Sequence, residues 1–545
     1  MKENKVKLLD GLLTDCFKKV RDNYYNKIDV KPHLETYITS ENMAYAEPEF
    51  TGKYLDICAY YYETEGDERT LEKGKAVAYA AIKGQRADGY LGFLPEGKET
   101  ERFSIWNHVF SMYGLTRMYE VTGDKEIFAA VLKSADYLLE LYADVRNPDI
   151  LEAGNYGSQN ISSLFSMMHL YSVTKDEKYA DYVKRILEYC ETTNMNLLSY
   201  ESILNLRSRK GIEMIVVYLG VLIYGVQCNC EKAIDAARRY WQELNDTQIR
   251  NTGNGTVEEK WAEGGNLPQL LPTEEKPNET CVAVGWIELS LMLFYVYKDA
   301  KYLDGIEKTL FNHMLGSLEK AGEDFAYYQG NYGTKIFRTD GGMYQCCRYR
   351  GFTILSYLKE YIYYVDENTV IPMVYSSAEY NADGLKVVQT TEYPTNGVIN
   401  YHVENANAPK TLKLRIPVWC DAYTVKVNGE TQDIKCQDGY VNICLVTGTT
   451  DVQLSLEFKI VKTKCEIDDD KYVEIKYGPL LLALDTHFGN ELWHRIDADA
   501  DVERVDTEGK SIVHFVTDGA HLVDFASAGS NVPGTDTYTV FIKRK

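Results

Sequence analysis

From about residue 50 to residue 365, apolar residues recur at the spacing of amphipathic helices, and a short pattern interrupts them at intervals. The pattern is an aromatic stretch, then Gly-Asp, Lys-Asp or a polar substitute, and then a new amphipathic run. It occurs around Asp67, Asp124, Asp176, Cys230 and Asp299, and in a weaker form around Asp366. Because intervals of about 50 to 70 residues hold two helices each, the sequence predicts six helical hairpins. Six hairpins can close into an α/α toroid or stack into an open superhelix.

After residue 366 the pattern changes to alternation with period two. Segments such as LKVVQTTEY, TLKLRIPVWC, YTVKVNGE and DVQLSLEF alternate apolar and polar residues between turns rich in Gly, Asn and Asp. Similar segments continue to the end of the chain. The sequence therefore predicts a helical domain over residues 1–365 and one or more antiparallel β-sandwich domains over residues 366–545. No Pro-rich or Ser-rich linker separates the two parts, so we expect them to pack together.

Charge narrows the class of partner. The 545 residues include 59 Lys and Arg against 81 Asp and Glu, a formal net charge of −22. A general attraction to nucleic acid or to anionic lipid is thereby excluded as the main activity, and a small, neutral or carbohydrate-like partner is favoured. The N-terminal residues lack the apolar core of a signal peptide, so we expect a cytoplasmic protein, or a periplasmic one if a leader has been removed.

The twelve cysteines are too sparse for a disulfide scaffold, but four residues have a spacing that suits a metal. Glu279 and Cys281 lie in NETC, and Cys346 and Cys347 are adjacent further along the chain. Three thiolates and one carboxylate can hold zinc tetrahedrally, and one metal can bind both members of an adjacent pair. The alternative is that these are reduced cysteines buried in a core, where cysteine is common.

An ordered series of motifs covers nearly the whole chain: EFTGKYLDICAYYYETEGDERTL, QRADGYLGFL, NHVFSMYGLTRMYEVTGD, NETCVAVGW, IEKTLFNHMLGSL, QCC, LKLRIPVWCDAYTVKVNGE and YVEIKYGPLLLALD. Each motif is weak alone, but the series resembles glycoside hydrolase family 127, the β-L-arabinofuranosidase superfamily. The resemblance implies an α/α six-fold barrel followed by β-sandwich modules. This matches the hairpin count and the β-rich second part of the chain.

The resemblance also implies a catalytic centre. In that family a Glu-x-Cys motif and an adjacent cysteine pair bind zinc, and the first cysteine of the pair is the nucleophile. The matching ligands here are Glu279, Cys281, Cys346 and Cys347, with Cys346 as the nucleophile. The family's acid/base glutamate precedes the ligand glutamate by 16 residues, an offset that falls on Glu263. Together these residues would support retaining hydrolysis through a glycosyl-cysteine intermediate.

The resemblance implies a substrate pocket less completely. Asp88 and Tyr90 in ADGYLG match a turn of the family, and His108 stands where the family has a sugar-contacting histidine. The chain departs from the family at residues 157–161, which read GSQNI in place of Gly-His-x-Glu-Ile, and near residues 211–213, where a second family histidine is absent. A lone histidine in an amphipathic helix can also be a core residue.

Arg348 and Arg350 follow the cysteine pair, where the family often has small residues or proline. Because a guanidinium pairs with both oxygens of a carboxylate, substrate binding by Arg348 would suit an acidic sugar of the kind found in pectin. The alternative is that both arginines form surface salt bridges with the abundant acidic residues.

We therefore predict a retaining exo-glycosidase with a zinc cofactor that removes a terminal L-sugar. The substrate is either a β-L-arabinofuranoside or a related acidic or branched sugar of a plant polysaccharide. We expect a carbohydrate as the partner, no nucleic acid and no membrane, with a homodimer as an open alternative. One rival is a glycan-binding relative whose zinc is structural. Another is an α/α-barrel epimerase or lyase, which would need His or Tyr acid/base residues across the cleft.

Overall fold

The structure is a computed structural model. It describes residues 5–37, 47–92, 94–98, 103–152, 154–265, 276–337, 346–465, 468, 471–497, 499–507, 509 and 511–545. Within these residues the α-helices are α1 (Leu12–Lys19), α2 (Lys31–Glu35), α3 (Pro48–Glu65), α4 (Glu68–Gly84), α5 (Ser104–Thr122), α6 (Lys125–Leu141), α7 (Ser158–Ile161), α8 (Ser163–Thr174), α9 (Glu177–Cys190), α10 (Gly211–Gln227), α11 (Glu231–Thr247), α12 (Thr280–Tyr297), α13 (Ala300–Thr309), α14 (Leu315–Ser317) and α15 (Cys346–Ser356). Shorter 3₁₀- or π-helical segments cover Val20–Tyr25, Ile203–Asn205, Leu310–Met314, Leu358–Tyr361 and Thr486–Phe488.

Six of these helices form a closed inner ring. In ring order they are α3, α5, α8, α10, α12 and α15, and α15 contacts α3. In each of the first five pairs the inner helix is followed by its outer partner, namely α4, α6, α9, α11 and α13. The closed ring confirms the predicted α/α toroid and excludes the open superhelix.

The Gly-Asp and Lys-Asp pairs of the repeat are the turns inside the hairpins. Gly66 and Gly123 end their helices in the left-handed conformation, with φ of 66° in both cases, which glycine adopts without a Cβ penalty. The following Asp67 and Asp124 accept hydrogen bonds from backbone N–H groups in the first turn of the next helix. Such side-chain caps satisfy donors that a helix start leaves unpaired. The repeat is thus a helix stop followed by a helix start.

The sixth predicted hairpin, around Asp366, is wrong. Asp366 lies in the turn between two paired strands, where its carboxylate accepts from the N–H groups of Asn368 and Thr369 at 2.9 and 2.8 Å. Instead, the N-terminal helix α1 and the π-helical turn after it pack against α15. The aspartate that caps a helix also caps a β-turn with the same geometry, so the local pattern could not separate the two structures.

Close packing places the first helix of the ring next to its neighbour. A Cβ at Gly52 would lie 2.0 Å from the carbonyl oxygen of Phe110, and one at Gly114 would lie 2.3 Å from that of Gly52. Helices α3 and α5 can therefore approach closely only because these positions are glycine.

Helix α12 is long and apolar enough to cross a membrane by length and composition, but 67% of it is buried in the protein. A core helix of a barrel has the same composition.

In the residues that the structure describes, the strands form three sheets. The strands are β1 (Val6–Leu8), β2 (Tyr332–Thr334), β3 (Tyr363–Val365), β4 (Thr369–Pro372), β5 (Ala378–Ala382), β6 (Leu385–Thr391), β7 (Val398–Asn405), β8 (Lys410–Arg415), β9 (Tyr423–Val427), β10 (Glu430–Gln432), β11 (Tyr440–Leu445), β12 (Gly448–Leu456), β13 (Ile460–Lys464), β14 (Tyr472–Tyr477), β15 (Leu480–Asp485), β16 (Arg495–Ile496), β17 (Glu503–Val505), β18 (His514–Thr517), β19 (Ala520–Asp524), β20 (Thr537–Thr539) and β21 (Ile542–Arg544).

The first two sheets form the predicted sandwich. One has the order β1-β5-β6-β7-β12-β9-β10 and the other β11-β8-β4-β3. A third, ten-stranded sheet contains the strands from β13 onward together with β2. Three strands come from residues 1–365, which were predicted to be helical: β1 pairs antiparallel with β5, β2 pairs with β20, and β3 lies at the end of that range and pairs with β4. The helical and β parts are thus joined by hydrogen-bonded strands as well as by packing.

Candidate active site

The four predicted ligand residues meet at the starts of two neighbouring inner helices. Glu279 is the N-cap residue of α12, Cys281 lies in its first turn, and α15 begins at Cys346. The sulfur atoms of Cys281 and Cys346 are 3.0 Å apart, and the N–H of Cys281 donates to the sulfur of Cys347 at 3.3 Å. The same sulfur lies 3.7 Å from Oε1 of Glu279. Helix N-termini favour negative charge, so the fold places four potential anions where they are stabilised.

The donor set fits a metal ion. Single ligand atoms of Glu279, Cys281 and Cys346 all lie within 4.8 Å of one another. Oε2 of Glu279 is buried and has no hydrogen-bond partner in the described part of the chain. A buried carboxylate oxygen without a donor is costly, and a bound cation would remove that cost. Three sulfurs and one carboxylate are a donor set typical of tetrahedral zinc.

The three thiols differ in the direction in which the protein shifts their pKa. Hydrogen bonds from the thiols of Cys281 and Cys347, together with the Lys53 ammonium, hold the pKa of Cys346 well below its usual range. Burial raises the pKa of Cys281 and of Cys347 instead. Burial also raises the pKa of Glu279 to about 8. Of the three sulfurs, Cys346 is therefore the one held as a thiolate.

The Cys346 sulfur contacts two side chains that the sequence analysis did not identify. Nζ of Lys53 and Oε1 of Glu49 each lie 3.2 Å from it, and the two side chains also form a buried ion pair. Burial raises the pKa of Glu49 to about 8, with the charge on Cys346 adding to the effect. The backbone N–H of Glu49 donates to Asn107 at 2.9 Å, which fixes the start of α3 against α5. No separate sequence signal marked this pair, because α3 carries further acidic residues and the local pattern does not show which of them face the cysteines.

A second glutamate that the sequence analysis did not assign is Glu259. It occupies a two-residue turn between bridged Val257 and Lys260, in which Glu258 and Glu259 both have positive φ, 46° and 64°. Such a turn favours Asn and Gly, and a non-glycine residue is strained there, which is typical of functional positions. The carboxylate of Glu259 accepts from Lys210 and from the hydroxyl of Tyr328.

These two partners connect Glu259 with the ligand group. Tyr328 forms a β-bridge with Glu279, and Lys210 is close enough to Glu279 to oppose the rise in its pKa. In contrast, Glu263, the predicted acid/base, lies in an exposed turn and forms no side-chain hydrogen bond or ion pair with the residues that the structure describes. Its catalytic role stays a prediction, whereas Glu259 is linked to the ligand group through Lys210 and Tyr328.

The residues predicted to bind substrate have structural partners. Asp88 pairs with Arg86 and accepts from the N–H of Tyr90 at 3.1 Å, while the Tyr90 ring is buried. His108 accepts from the N–H of Leu91 at 2.9 Å and lies 3.0 Å from the carbonyl oxygen of Ser134. Burial lowers the pKa of His108 to about 4. Both ring nitrogens are thus occupied by backbone groups, which leaves neither for a sugar hydroxyl.

Both arginines after the cysteine pair are engaged with carboxylates. Nε of Arg348 lies 2.6 Å from Oδ1 of Asp324, and both side chains are buried. Arg350 pairs with Glu288. The salt-bridge alternative is therefore the one observed, although the pairs are buried rather than on the surface.

Glu213 lies in one of the two segments in which this chain lacks a histidine of the family. Glu213 on α10 is buried and accepts from Asn155 at 2.6 Å, Ser158 at 2.5 Å and Gln159 at 2.9 Å. Burial raises its pKa, and its charge contributes to the raised pKa of Glu279, so it lies near the ligand group. The two altered segments are thus in contact with each other, which no local pattern indicated.

Comparisons with known proteins place this arrangement in a family. The β-L-arabinofuranosidase GH127 catalytic-domain model matches residues 6–360, and the GH127 middle-domain model matches residues 370–458. A non-reducing end β-L-arabinofuranosidase of Bifidobacterium longum subsp. longum is 24% identical over 458 residues, covering 79% of this chain and 63% of that protein. The chain thus spans less than two thirds of the length of this curated relative.

Solved structures share the fold. The GH127 β-L-arabinofuranosidase Ara127N-Se of Geobacillus stearothermophilus T6 has a TM-score of 0.76 at 17% identity, over 99% of this chain and all of that one. The GH127 β-arabinofuranosidase BT3674 has a TM-score of 0.83 at 19% identity, over 99% and 97% of the two chains. The two family models together cover most of the sequence, and the range of the catalytic-domain model includes all four predicted ligand residues. The chain belongs to glycoside hydrolase family 127.

Proposed function

We propose that the chain is a retaining exo-glycosidase that removes a terminal L-arabinofuranose. The observation that carries this proposal is the convergence of Glu279, Cys281, Cys346 and Cys347, with Cys346 as the sulfur held as a thiolate. A thiolate in a fixed position is a strong nucleophile, and family membership supports its use on a glycoside. The proposed cofactor is zinc, held by these four residues, where it would keep the sulfurs deprotonated and fixed.

In the first half of the reaction, the sulfur of Cys346 attacks the anomeric carbon. The carbon–sulfur bond forms as the bond to the leaving oxygen breaks, and an acid donates a proton to that oxygen. In the second half, the residue that acted as the acid removes a proton from a water molecule. The oxygen of that water attacks the anomeric carbon and displaces the sulfur. Two inversions give net retention, and the thiolate is restored.

We propose Glu259 for the acid/base role. Its support is its contacts: its carboxylate accepts from Lys210 and Tyr328, the first of which acts on the pKa of Glu279 while the second forms a β-bridge with it. Glu263, the residue at the family's sequence offset, remains the competing candidate. If the segment between the acid/base and the NETC motif is longer in this chain than in the family, the acid/base would lie before Glu263 in the sequence, as Glu259 does.

The partners of Arg348 and Arg350 favour a neutral sugar over an acidic one. These arginines, which suggested an acidic substrate, already pair with carboxylates of the protein, Asp324 and Glu288. The carboxylate of an incoming uronate would have to displace one of these buried partners.

The test is hydrolysis of a matched panel of terminal L-sugar glycosides, neutral and acidic, by the zinc-loaded protein, with the first-formed anomer followed by NMR. We expect hydrolysis of the β-L-arabinofuranoside with retention, and its loss in Cys346→Ser, because an alcohol is far harder to deprotonate than a thiol. Binding of the neutral glycosides without hydrolysis would favour the glycan-binding alternative. Inversion, or activity in Cys346→Ser, would reject the proposed nucleophile.

A further inference from the structure

The side chain of Glu49 borders the space that a sugar occupies when Cys346 attacks it. Its Oε1 lies 3.2 Å from the Cys346 sulfur. Cys346 is partly exposed, whereas the other two cysteines of the ligand group, Cys281 and Cys347, are buried. A sugar can therefore reach only the first of these sulfurs, and its anomeric carbon would lie about 3 to 3.5 Å from it before attack. A carboxylate in contact with that sulfur is within reach of a hydroxyl group next to the anomeric carbon.

Glu49 is held rigidly in this position. Its backbone N–H donates to the side chain of Asn107 at 2.9 Å, and its carboxylate forms an ion pair with Lys53, one helical turn further along α3. The ammonium of Lys53 also lies over the ring of Phe110, 4.8 Å from its centroid. Glu49 itself is 4% exposed. Because these contacts fix its side chain before a ligand binds, a hydrogen bond to it would cost little conformational entropy.

One oxygen of the Glu49 carboxylate keeps its capacity to accept a hydrogen bond. Both contacts of the carboxylate, to Lys53 and to Cys346, are made by Oε1, and Oε2 accepts from no donor in the residues that the structure describes. A carboxylate has about four lone-pair sites for hydrogen bonds. Because a buried carboxylate oxygen without a donor is costly, a ligand hydroxyl that donates to Oε2 would be stabilised.

Glu213 shows the opposite arrangement. It is also a buried glutamate, and its charge contributes to the raised pKa of Glu279, but protein donors bond to both of its oxygens. Oε1 accepts from the side-chain amides of Asn155 and Gln159, and Oε2 accepts from the hydroxyl of Ser158. The protein itself therefore satisfies Glu213, which makes this residue a matched control for Glu49.

We propose that Oε2 of Glu49 accepts a hydrogen bond from the 2-hydroxyl of the bound L-arabinofuranose and that this contact selects the sugar. The inference rests on the proposed function, because it takes Cys346 as the nucleophile. The 2-hydroxyl is carried by the carbon next to the one attacked, so it is the ring hydroxyl closest to the sulfur. A 2-deoxy sugar would leave the buried Oε2 without a donor, which is a strong basis for discrimination. Hydrogen bonds to the 2-hydroxyl also strengthen in the transition state of glycoside hydrolysis.

The test compares kcat/KM of the full-length, zinc-loaded protein for 4-nitrophenyl β-L-arabinofuranoside and for its 2-deoxy, 3-deoxy and 5-deoxy analogues. The value for the parent glycoside divided by that for a deoxy analogue measures how far the protein uses the missing hydroxyl. In Glu49→Leu the 2-deoxy ratio should fall at least about tenfold, as loss of one hydrogen bond to a charged group predicts. The 3-deoxy and 5-deoxy ratios should not change. A purely structural effect would slow hydrolysis of all these substrates alike and leave every ratio as in the wild type.

Two further variants complete the test. Glu49→Gln keeps the size of the side chain and one acceptor oxygen, so its 2-deoxy ratio should fall in the same direction but by less, and it replaces the leucine variant if that variant does not fold. Glu213→Gln should leave the 2-deoxy ratio as in the wild type. An unchanged 2-deoxy ratio in the Glu49 variants, an equal fall in the 3-deoxy and 5-deoxy ratios, or an equal fall in Glu213→Gln would overturn the proposal. If the wild type does not hydrolyse the parent glycoside, the proposed function is itself wrong and the contact with the 2-hydroxyl is rejected with it.

Discussion

Replacing Glu259 by Gln distinguishes the two acid/base candidates, because Glu263→Gln is a matched control four residues away. The amide is nearly the same size as the carboxylate and can still accept from Tyr328, but it cannot transfer a proton. A positioned general acid/base contributes about 10² to 10⁴ in rate, or roughly 3 to 5 kcal/mol. Glu263 is exposed and without a side-chain partner in the described chain, so its substitution should cost under about 0.5 kcal/mol, within about twofold in rate.

The assay compares kcat/KM for a disaccharide with that for a 4-nitrophenyl glycoside. Protonation matters most for the poor leaving group, so Glu259→Gln should lose about 10² to 10⁴ on the disaccharide and much less in the first step on the aryl substrate. On the aryl substrate, slow attack by water should let the glycosyl-enzyme accumulate. Added azide, which needs no general base, should then restore turnover and give a glycosyl azide of retained configuration.

One structural side effect requires its own control. The new amide would place a donor against the Lys210 ammonium, which now pairs with Glu259. The double variant Lys210→Met/Glu259→Gln removes that repulsion, so recovery of the disaccharide rate in it would show that displacement, and not proton transfer, caused the loss. The reasoning would be refuted if Glu259→Gln kept its disaccharide activity within a few-fold while Glu263→Gln lost it. In that case the residue at the family's sequence offset is the acid/base.

Three other outcomes follow from the structure. Metal analysis of the protein purified under reducing conditions should find about one zinc per chain, and Cys347→Ser should lower that content; zinc-free protein with freely titratable thiols would exclude the site. Arg415→Met should lower the free energy of unfolding in urea by about 3–5 kcal/mol, because it leaves the buried Glu307 and the partly buried Asp304 without their cation; a loss under about 1 kcal/mol would contradict this. Burial lowers the pKa of His108 to about 4 from 6.5, so its contribution to stability is present above pH 6.5 and is lost as pH falls towards 4. The stability difference between the wild type and His108→Gln should shrink over that range in urea titrations, and a constant difference would contradict the burial argument.

The sequence predicted the architecture well where local signals repeat. Four of the five hairpins have an aspartate that caps the second helix, and the fifth, at Cys230, has no side-chain cap and was located from the aromatic and amphipathic pattern alone. The sixth failed because Asp366 caps a β-turn with the same side-chain chemistry. The strands Val6–Leu8 and Tyr332–Thr334 were also missed, since three residues show no periodicity and their pairing partners are distant in sequence.

The residues of the candidate site also fall into a group that the sequence could predict and a group that it could not. Glu279 and the cysteines could be found because metal ligands form short motifs, and the structure brings them together. Glu49, Lys53 and Glu259 could not, because their role depends on which helices become neighbours and on one strained turn. The role of His108 as a substrate contact stays a prediction, and the structure adds that backbone groups occupy both of its ring nitrogens.

The location of the cysteines ties the chemistry to closure of the ring. Cys346 begins the last inner helix and Lys53 lies on the first, so the contact between them joins opposite ends of the helical sequence. Strand β1 precedes the ring and pairs with β5, which follows it, so the sandwich fastens both ends of the ring together. The thiols of Cys281 and Cys347 and the ammonium of Lys53 together lower the pKa of Cys346, so part of this stabilisation requires contact between the first and last helices of the ring. The pairing of β1 with β5 joins the segments before and after the ring, so the sandwich supports that contact, although none of the strands in the described residues contains a ligand residue.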